Sequence, residues 1–285
     1  MKTRALALLL LTCLLMTGCR NRPPVVDQAQ FLPPTIKNPP ALPTYQAAAE
    51  AHNRRVDQLD RLWAATSVRL EWVEDDDRKA EQGDGNLLMI RPDRLALTVG
   101  KLGHVRLWAG MNPDADFLFD LRDGGTLYLH QRSPGMPYGL LPPDLPVPLQ
   151  PRDMPWLLGV MPLPPTGHIE SLRGYWLLEP DDVPIRLLLD PYTAEPLRID
   201  RIGPNGRSDV IALHRDSSLV GGLSGQPVSI ARRLEIMENG KEARIDLELD
   251  RLRVGSEAES RLRPAAFDLD RLIRAHKPDE IVDIR

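Results

Sequence analysis

The feature that most constrains this chain is an alternation of apolar and polar residues with a period of two, repeated many times between about residue 67 and residue 254. Val68, Leu70 and Trp72 alternate with Ser67, Arg69 and Glu71, and Leu95, Leu97 and Val99 alternate with Arg94, Ala96 and Thr98. The same pattern returns at Val105–Leu107, Phe117–Leu121, Leu127–Leu129, Tyr175–Glu179, Ile185–Leu189, Leu197–Ile202, Val210–Leu213, Val228–Met237 and Ile245–Leu249. A period of two puts one face of each strand on a core, and closely spaced strands read as an antiparallel meander. The acidic run Glu74-Asp75-Asp76-Asp77, Asp123-Gly124-Gly125 and Asn239-Gly240 are the predicted turns. After Leu249 the apolar phase slips by one to Leu252 and Val254, which predicts a bulge near Asp250-Arg251. One long helix precedes the strands: Ala48, His52, Val56, Leu59, Leu62 and Trp63 recur at steps of three and four over Tyr45–Ala65. The fold class is α+β, mainly β. It is a curved antiparallel sheet of about 11–12 strands, an incomplete β-barrel, wrapped around an N-terminal helix, because so many strands laid flat would expose too much apolar surface.

Proline marks the interruptions. Residues 20–44 hold seven prolines and no apolar period, which predicts an extended spacer; residues 134–165 hold eleven and predict a long stiffened loop. Within that loop Asp153 is placed to cap a short helix through Trp156, Leu157 and Val160.

The N-terminus reads as a targeting signal. Lys2 and Arg4 precede an apolar run, Ala5–Met16, interrupted only by Thr12. As a helix it spans roughly 18 Å, short of a ~30 Å bilayer core, so it reads as a secretory signal. Leu15-Met16-Thr17-Gly18-Cys19 resembles a bacterial lipobox, with Met16 where leucine is usual. The resemblance implies diacylglyceryl (palmitate-type) lipidation of Cys19 as the new N-terminus, and Arg20 after it points to the outer membrane facing the periplasm. The other cysteine, Cys13, lies in the signal, so no disulfide and no cysteine-bound zinc is expected in the mature chain. The domain plan is therefore signal 1–18, lipidated tether 19–44, folded domain 45–272 and tail 273–285.

Three stretches carry a further likeness. They are Asn53-x5-Leu59-x2-Leu62-Trp63-Ala64 ahead of Val68-Arg69-Leu70; Leu107 to Phe117 through Met111-Asn112-Pro113; and Pro264-Ala265-Ala266-Phe267-Asp268-Leu269. With the lipobox, spacer, helix and meander, the chain resembles the LolA/LolB-like lipoprotein localisation superfamily from Tyr45 to Leu272. It departs from related lipoproteins at Met111, where they carry serine, and at Leu118, where they carry tryptophan. The resemblance implies a half-barrel around a hydrophobic cavity with helices as a lid, and binding of lipoprotein acyl chains or other lipids without catalysis. The receptor's protruding leucine loop has no aligned counterpart, and Leu140-Leu141, amid prolines, is only a chemical analogue of it.

Reactive motifs do not compete with this reading. A formal net charge of −4 gives no basic excess to follow a phosphate backbone, so nucleic acid is not an expected partner. Gly221-Gly222-Leu223-Ser224-Gly225-Gln226 misses a nucleophile elbow at its last position. His52, His104, His130, His168, His214 and His276 are scattered without zinc spacing. No enzyme activity, cofactor or metal is expected. The expected ligand lining is Trp63, Trp72, Leu97, Leu107, Phe117, Phe119, Leu127 and Trp156. The alternative is a structural or assembly lipoprotein holding a protein partner, in which the concavity is filled and an apolar patch lies near residues 134–165.

Overall fold

Strand pairing dominates the chain. In the computed structural model, which describes residues 31–74, 77–121, 125–132, 150–238 and 243–284, the strands join one sheet. The signal, Cys19, the early spacer, Leu140-Leu141 and the turns at Asp75-Asp76, Asp123-Gly124 and Asn239-Gly240 lie outside the described residues. The strands are β1 Arg61–Glu74, β2 Asp77–Ile90, β3 Arg94–Lys101, β4 His104–Met111, β5 Ala115–Asp120, β6 Thr126–Gln131, β7 Gly167–Leu172, β8 Tyr175–Pro180, β9 Ile185–Leu189, β10 Pro196–Ile202, β11 Ser208–Gly221, β12 Pro227–Glu238, β13 Arg244–Val254 and β14 Glu280–Asp283. Their order is β14-β6-β5-β4-β3-β2-β1-β13-β12-β11-β10-β9-β8-β7, antiparallel throughout except β14, which runs parallel to β6. Two meanders thus meet at the β1–β13 ladder, and β7 and β14 remain as free edges of an open, curved sheet.

Fourteen strands among the described residues exceed the 11–12 expected. The additions are β2, β7 and β14. The outer half of β2 reads Asp-Arg-Lys-Ala-Glu-Gln-Gly-Asp-Gly, polar on both faces, because that end of the β1–β2 hairpin stands in solvent. β7 and β14 are edge strands with no fully buried position, so neither needs a full apolar face.

The helix is shorter than its apolar period. α1 covers Tyr45–Val56, begun by Thr44, whose Oγ1 accepts from the Ala47 amide at 3.3 Å. Leu59, Leu62 and Trp63, expected on the same helix, lie in the following turn and in β1. β1 is the central strand, paired with β2 on one side and β13 on the other, and two ladders outweigh helical periodicity. The bulge falls where the phase slip placed it: Trp63 faces Arg253 and Ala65 faces Asp250, with Arg251 at φ 50°. Asp153 does not cap the short helix α2, Met154–Leu157; it sits in a preceding 3-10 turn, Pro151–Asp153, with its side chain turned elsewhere.

The folded unit runs from Pro33 to Arg285, wider than the expected 45–272. From Pro33 the expected spacer lies against the domain: the Ile36 amide donates to Arg173 O at 2.9 Å, and the hydroxyls of Tyr175 and Tyr192 donate to the carbonyls of Pro34 and Asn38. The expected tail is built in as well. α3 Gly255–Glu259, a 3-10 turn Pro264–Ala266 and α4 Leu269–His276 lie over the convex face of β1–β6, and β14 extends the sheet beside β6. Phe267 packs with Leu88, Ala96, Trp63 and Trp108; Leu272 packs with Phe117, Phe119 and Leu127. Asn112 ties this segment to the β4–β5 turn, accepting from the amides of Asp114 and Ala115 while its amide donates to Phe267 O at 3.2 Å.

Phe267→Ala removes a ring buried against Leu88, Ala96, Trp63 and Trp108 on the convex face, and is expected to lower unfolding free energy by about 3 kcal/mol. Urea denaturation followed by circular dichroism checks this; a loss within the scatter of surface substitutions would show that the C-terminal cover is dispensable.

Candidate functional site

The concave face carries the main core. Cross-strand pairing aligns its rows: Ala64–Leu87–Leu97–Ala109 and Leu62–Met89–Leu95–Met111 on one side, Leu70–Ile245–Ile236–Ala212 on the other. Two segments fill much of it, α1 and the stretch 150–164. They are stitched to each other by side chains on one face of α1. The Tyr45 hydroxyl donates to Pro164 O at 3.1 Å, and His52 Nε2 donates to Met161 O at 3.2 Å. Asn53 both donates to Leu163 O, 2.9 Å, and accepts from its amide, 2.7 Å. The Arg55 guanidinium donates to Gly159 O and, at 3.1 Å, to Ser229 O. Behind them the buried His214 Nε2 donates to Leu157 O at 2.8 Å. A carbonyl can only accept, so both histidines carry their proton on Nε2.

Consecutive residues anchor the inserted stretch to opposite halves of the sheet. Arg152 reaches the buried carboxylate of Asp116 on β5, which also receives Arg132 at 2.8 Å, and it donates to His130 Nδ1 at 2.8 Å. Asp153 accepts from Arg201 on β10, which is paired in turn with Asp209 at 3.0 Å. Charges so deeply placed are tolerable only when paired, so each clamp must stay whole.

The filling stops short of the β1–β2 hairpin. There a cavity of about 340 Å³ is lined by Val68, Leu70, Glu81, Gln82, Gly83, Val99, Gly100, Lys101 and Arg106. The hollow has a local cause. Val68 of β1 faces Gly83 of β2, so one inward position of the lining carries no side chain. A Cβ on Gly83 would lie 2.6 Å from Gly100 O, too close for any substituent without backbone movement.

The expected lining divides between the two faces. Leu97, Leu107 and Trp156 belong to or pack on the concave core, and Trp72, half-buried, shares that face with Val68 and Leu70 by alternation. Trp63, Phe117, Phe119 and Leu127 point to the convex face, under the C-terminal segment. One residue of phase separates Leu118, inward, from its neighbours Phe117 and Phe119. The glycines and basic residues of the hollow were not singled out from the sequence, although Gly83 and Gly85 at alternate positions were the available signal. Ser224 lies in a turn, its amide and hydroxyl both donating to Gln58 Oε1. Leu102 at the β3–β4 turn is 92% exposed, more than the other exposed leucines among the described residues, Leu42, Leu219 and Leu223. No group of three or more metal-ligating side chains occurs among the described residues, and no helix there is long and apolar enough to cross a membrane.

No protein-family model matches the sequence, and no curated protein matches it. Solved structures with a similar course of the chain include a DUF1329 family protein from Desulfovibrio piger, at 12% identity and TM-score 0.45, covering 80% of this chain and 99% of that one. A domain described as outer membrane lipoprotein-sorting, from Vibrio parahaemolyticus, aligns at 11% identity and TM-score 0.49 over 79% and 98% of the two chains. A LolA superfamily protein from Nitrosomonas europaea aligns at 11% and 0.47 over 80% and 99%.

Burial pulls His52 of α1 down to about 3 and His214 down to about 4, helped in both by the Arg55 charge. Both rings are neutral in the folded protein at pH 7, whereas in the unfolded chain each takes up a proton near 6.5. The unfolded state therefore binds more protons below that pH, and stability present above about 6.5 is lost as pH falls toward 4 and 3. Asp153, pushed up to about 6 by burial against the pull of Arg201, titrates in the opposite sense and offsets part of the loss. Two groups outweigh one, so unfolding free energy is expected to fall by roughly 2 kcal/mol between pH 7 and pH 5. Urea unfolding at the two pH values checks this. His214→Gln should shrink the difference, and equal stability at both values would refute the buried neutral pair.

Proposed function

We propose that this chain is a lipid-anchored, non-catalytic protein of the bacterial cell envelope. It binds a hydrophobic ligand, a lipid or the acyl chains of a lipoprotein, in the hollow end of its half-barrel. The observation that carries the reading is the cavity of about 340 Å³ on the concave face, floored by Val68, Leu70 and Val99. That volume lies in the ~300–1,000 Å³ range of small-ligand sites, and its lining joins three aliphatic side chains to the polar Glu81, Gln82, Lys101 and Arg106. Trp72 extends the same face toward the hairpin tip, and Leu97 and Leu107 continue it inward. A longer chain would need the inserted stretch 150–164 to move, and the hydrogen bonds from α1 set the cost of that movement.

The remaining parts fit a membrane setting. Cys19 supplies the anchor at the outer membrane, with the domain facing the periplasm. Leu102 at the β3–β4 turn, adjoining the cavity lining at Lys101, would meet the lipid surface first. The protein-partner alternative draws its support from the filled part of the concavity, where α1 and 150–164 leave packed side chains rather than space.

Native mass spectrometry on residues 33–285, prepared without detergent, separates the two. The expected result is a reproducible bound mass of acyl-chain size. It should be lost in Leu70→Glu, a half-buried lining position whose variant keeps its circular dichroism spectrum. A chain that stays ligand-free even when palmitate is offered would end the lipid reading and leave the partner reading.

A further inference from the structure

We infer that the mouth of this hollow selects an anionic amphiphile, a hydrocarbon chain whose carboxylate or phosphate head is held by Lys101 and Arg106. The inference rests on the acyl-chain reading above and adds the head group to it.

The argument starts from a bulge. Pairing between β3 and β4 matches Val99 with Leu107 and Gly100 with Val105, leaving Arg106 as the extra residue. In an unbroken strand Arg106 would face away from the surface that carries Leu107. Here Arg106 lines the hollow and the next residue, Leu107, packs on the concave core, which the register shift permits. Lys101, the last residue of β3, lines the same rim. Among the described residues neither cation is joined to a carboxylate by an ion pair, and Glu81 is the one acidic group of a lining that holds both of them. The rim is therefore basic and solvent-facing, and the floor beneath it is Val68, Leu70 and Val99. The close approach of Gly83 to Gly100 brings the two rim strands together without side chains between them. A charged head in water and a chain on the apolar floor satisfy both surfaces at once.

The test uses the full chain with Cys19→Ala, which carries no acyl group of its own, in calorimetric titrations with dodecanoate, dodecyl phosphate and dodecanol. The two anionic chains are expected to bind about tenfold more tightly than the alcohol, the scale of two charge-assisted contacts at an exposed rim. Comparing dodecanoate with dodecyl phosphate separates a fatty-acid from a phosphate head. In Lys101→Gln with Arg106→Gln, both anionic affinities should drop to that of dodecanol, with dodecanol unchanged. Equal affinities for all three in the native chain would overturn the head-group inference and leave the acyl-chain reading standing. Binding of none would overturn both. Loss of dodecanol in the double variant would make the two residues structural and overturn their assignment. Inorganic phosphate binding as tightly as dodecyl phosphate would make this a free-anion site and overturn the amphiphile.

Discussion

An open sheet with an apolar inner face has to cover that face from within its own chain, and most of this structure follows from how it does so. A closed barrel satisfies its interior by packing strand against strand around a small circumference. Here the two meanders join along β1 and β13 and leave free edges at β7 and β14, so the concavity is too wide for its strands to fill alone. α1 and residues 150–164 supply the missing layer. They are held by directed bonds: four side chains of α1 bond to the inserted stretch, and Arg152 and Asp153 reach to opposite halves of the sheet. The convex face of β1–β6 is covered by the C-terminal segment, so the sheet is sandwiched there rather than wetted on one side.

The hollow is where this covering layer ends. It coincides with the stretch of β2 that places Gly83 at an inward position, and with the bulge in β4 that presents Arg106. Empty volume on an apolar face is unfavourable unless water or a ligand occupies it, since lining atoms lose dispersion contacts. A protein that only needed a stable sheet would place valine or leucine at that position. The close strand approach at Gly83 excludes them, which ties the shape of the hollow to backbone geometry rather than to the choice of nearby rotamers.

The buried polar groups distinguish this interior from a purely apolar core. His52, His214, Arg55 and the two carboxylate clusters all contact the inserted stretch or the elements beside it. Each group desolvated there must keep its partner, so the covering layer has one well-defined seat.

Much of this was legible in the chain before folding. Period-two alternation determined a mainly β architecture, and the phase slip after Leu249 placed the bulge at Arg251, because side-chain direction along a strand is a local property. What a residue faces beyond its own strand is not local. Leu118 and Phe119 are equally apolar, yet one turns to the concave core and the other to the C-terminal cover, and only the coverage of both sheet faces decides which is interior. The helix limit at Val56 was set by β1 acquiring partners on both sides, a tertiary gain that helical periodicity through Trp63 does not register. Polar strands such as β2 are held by their neighbours' hydrogen bonds rather than by their own pattern. The sequence by itself thus determined the element types and the alternation of faces. The tertiary structure alone decided which face is covered by what and where the covering stops, because that depends on contacts between residues more than a hundred positions apart.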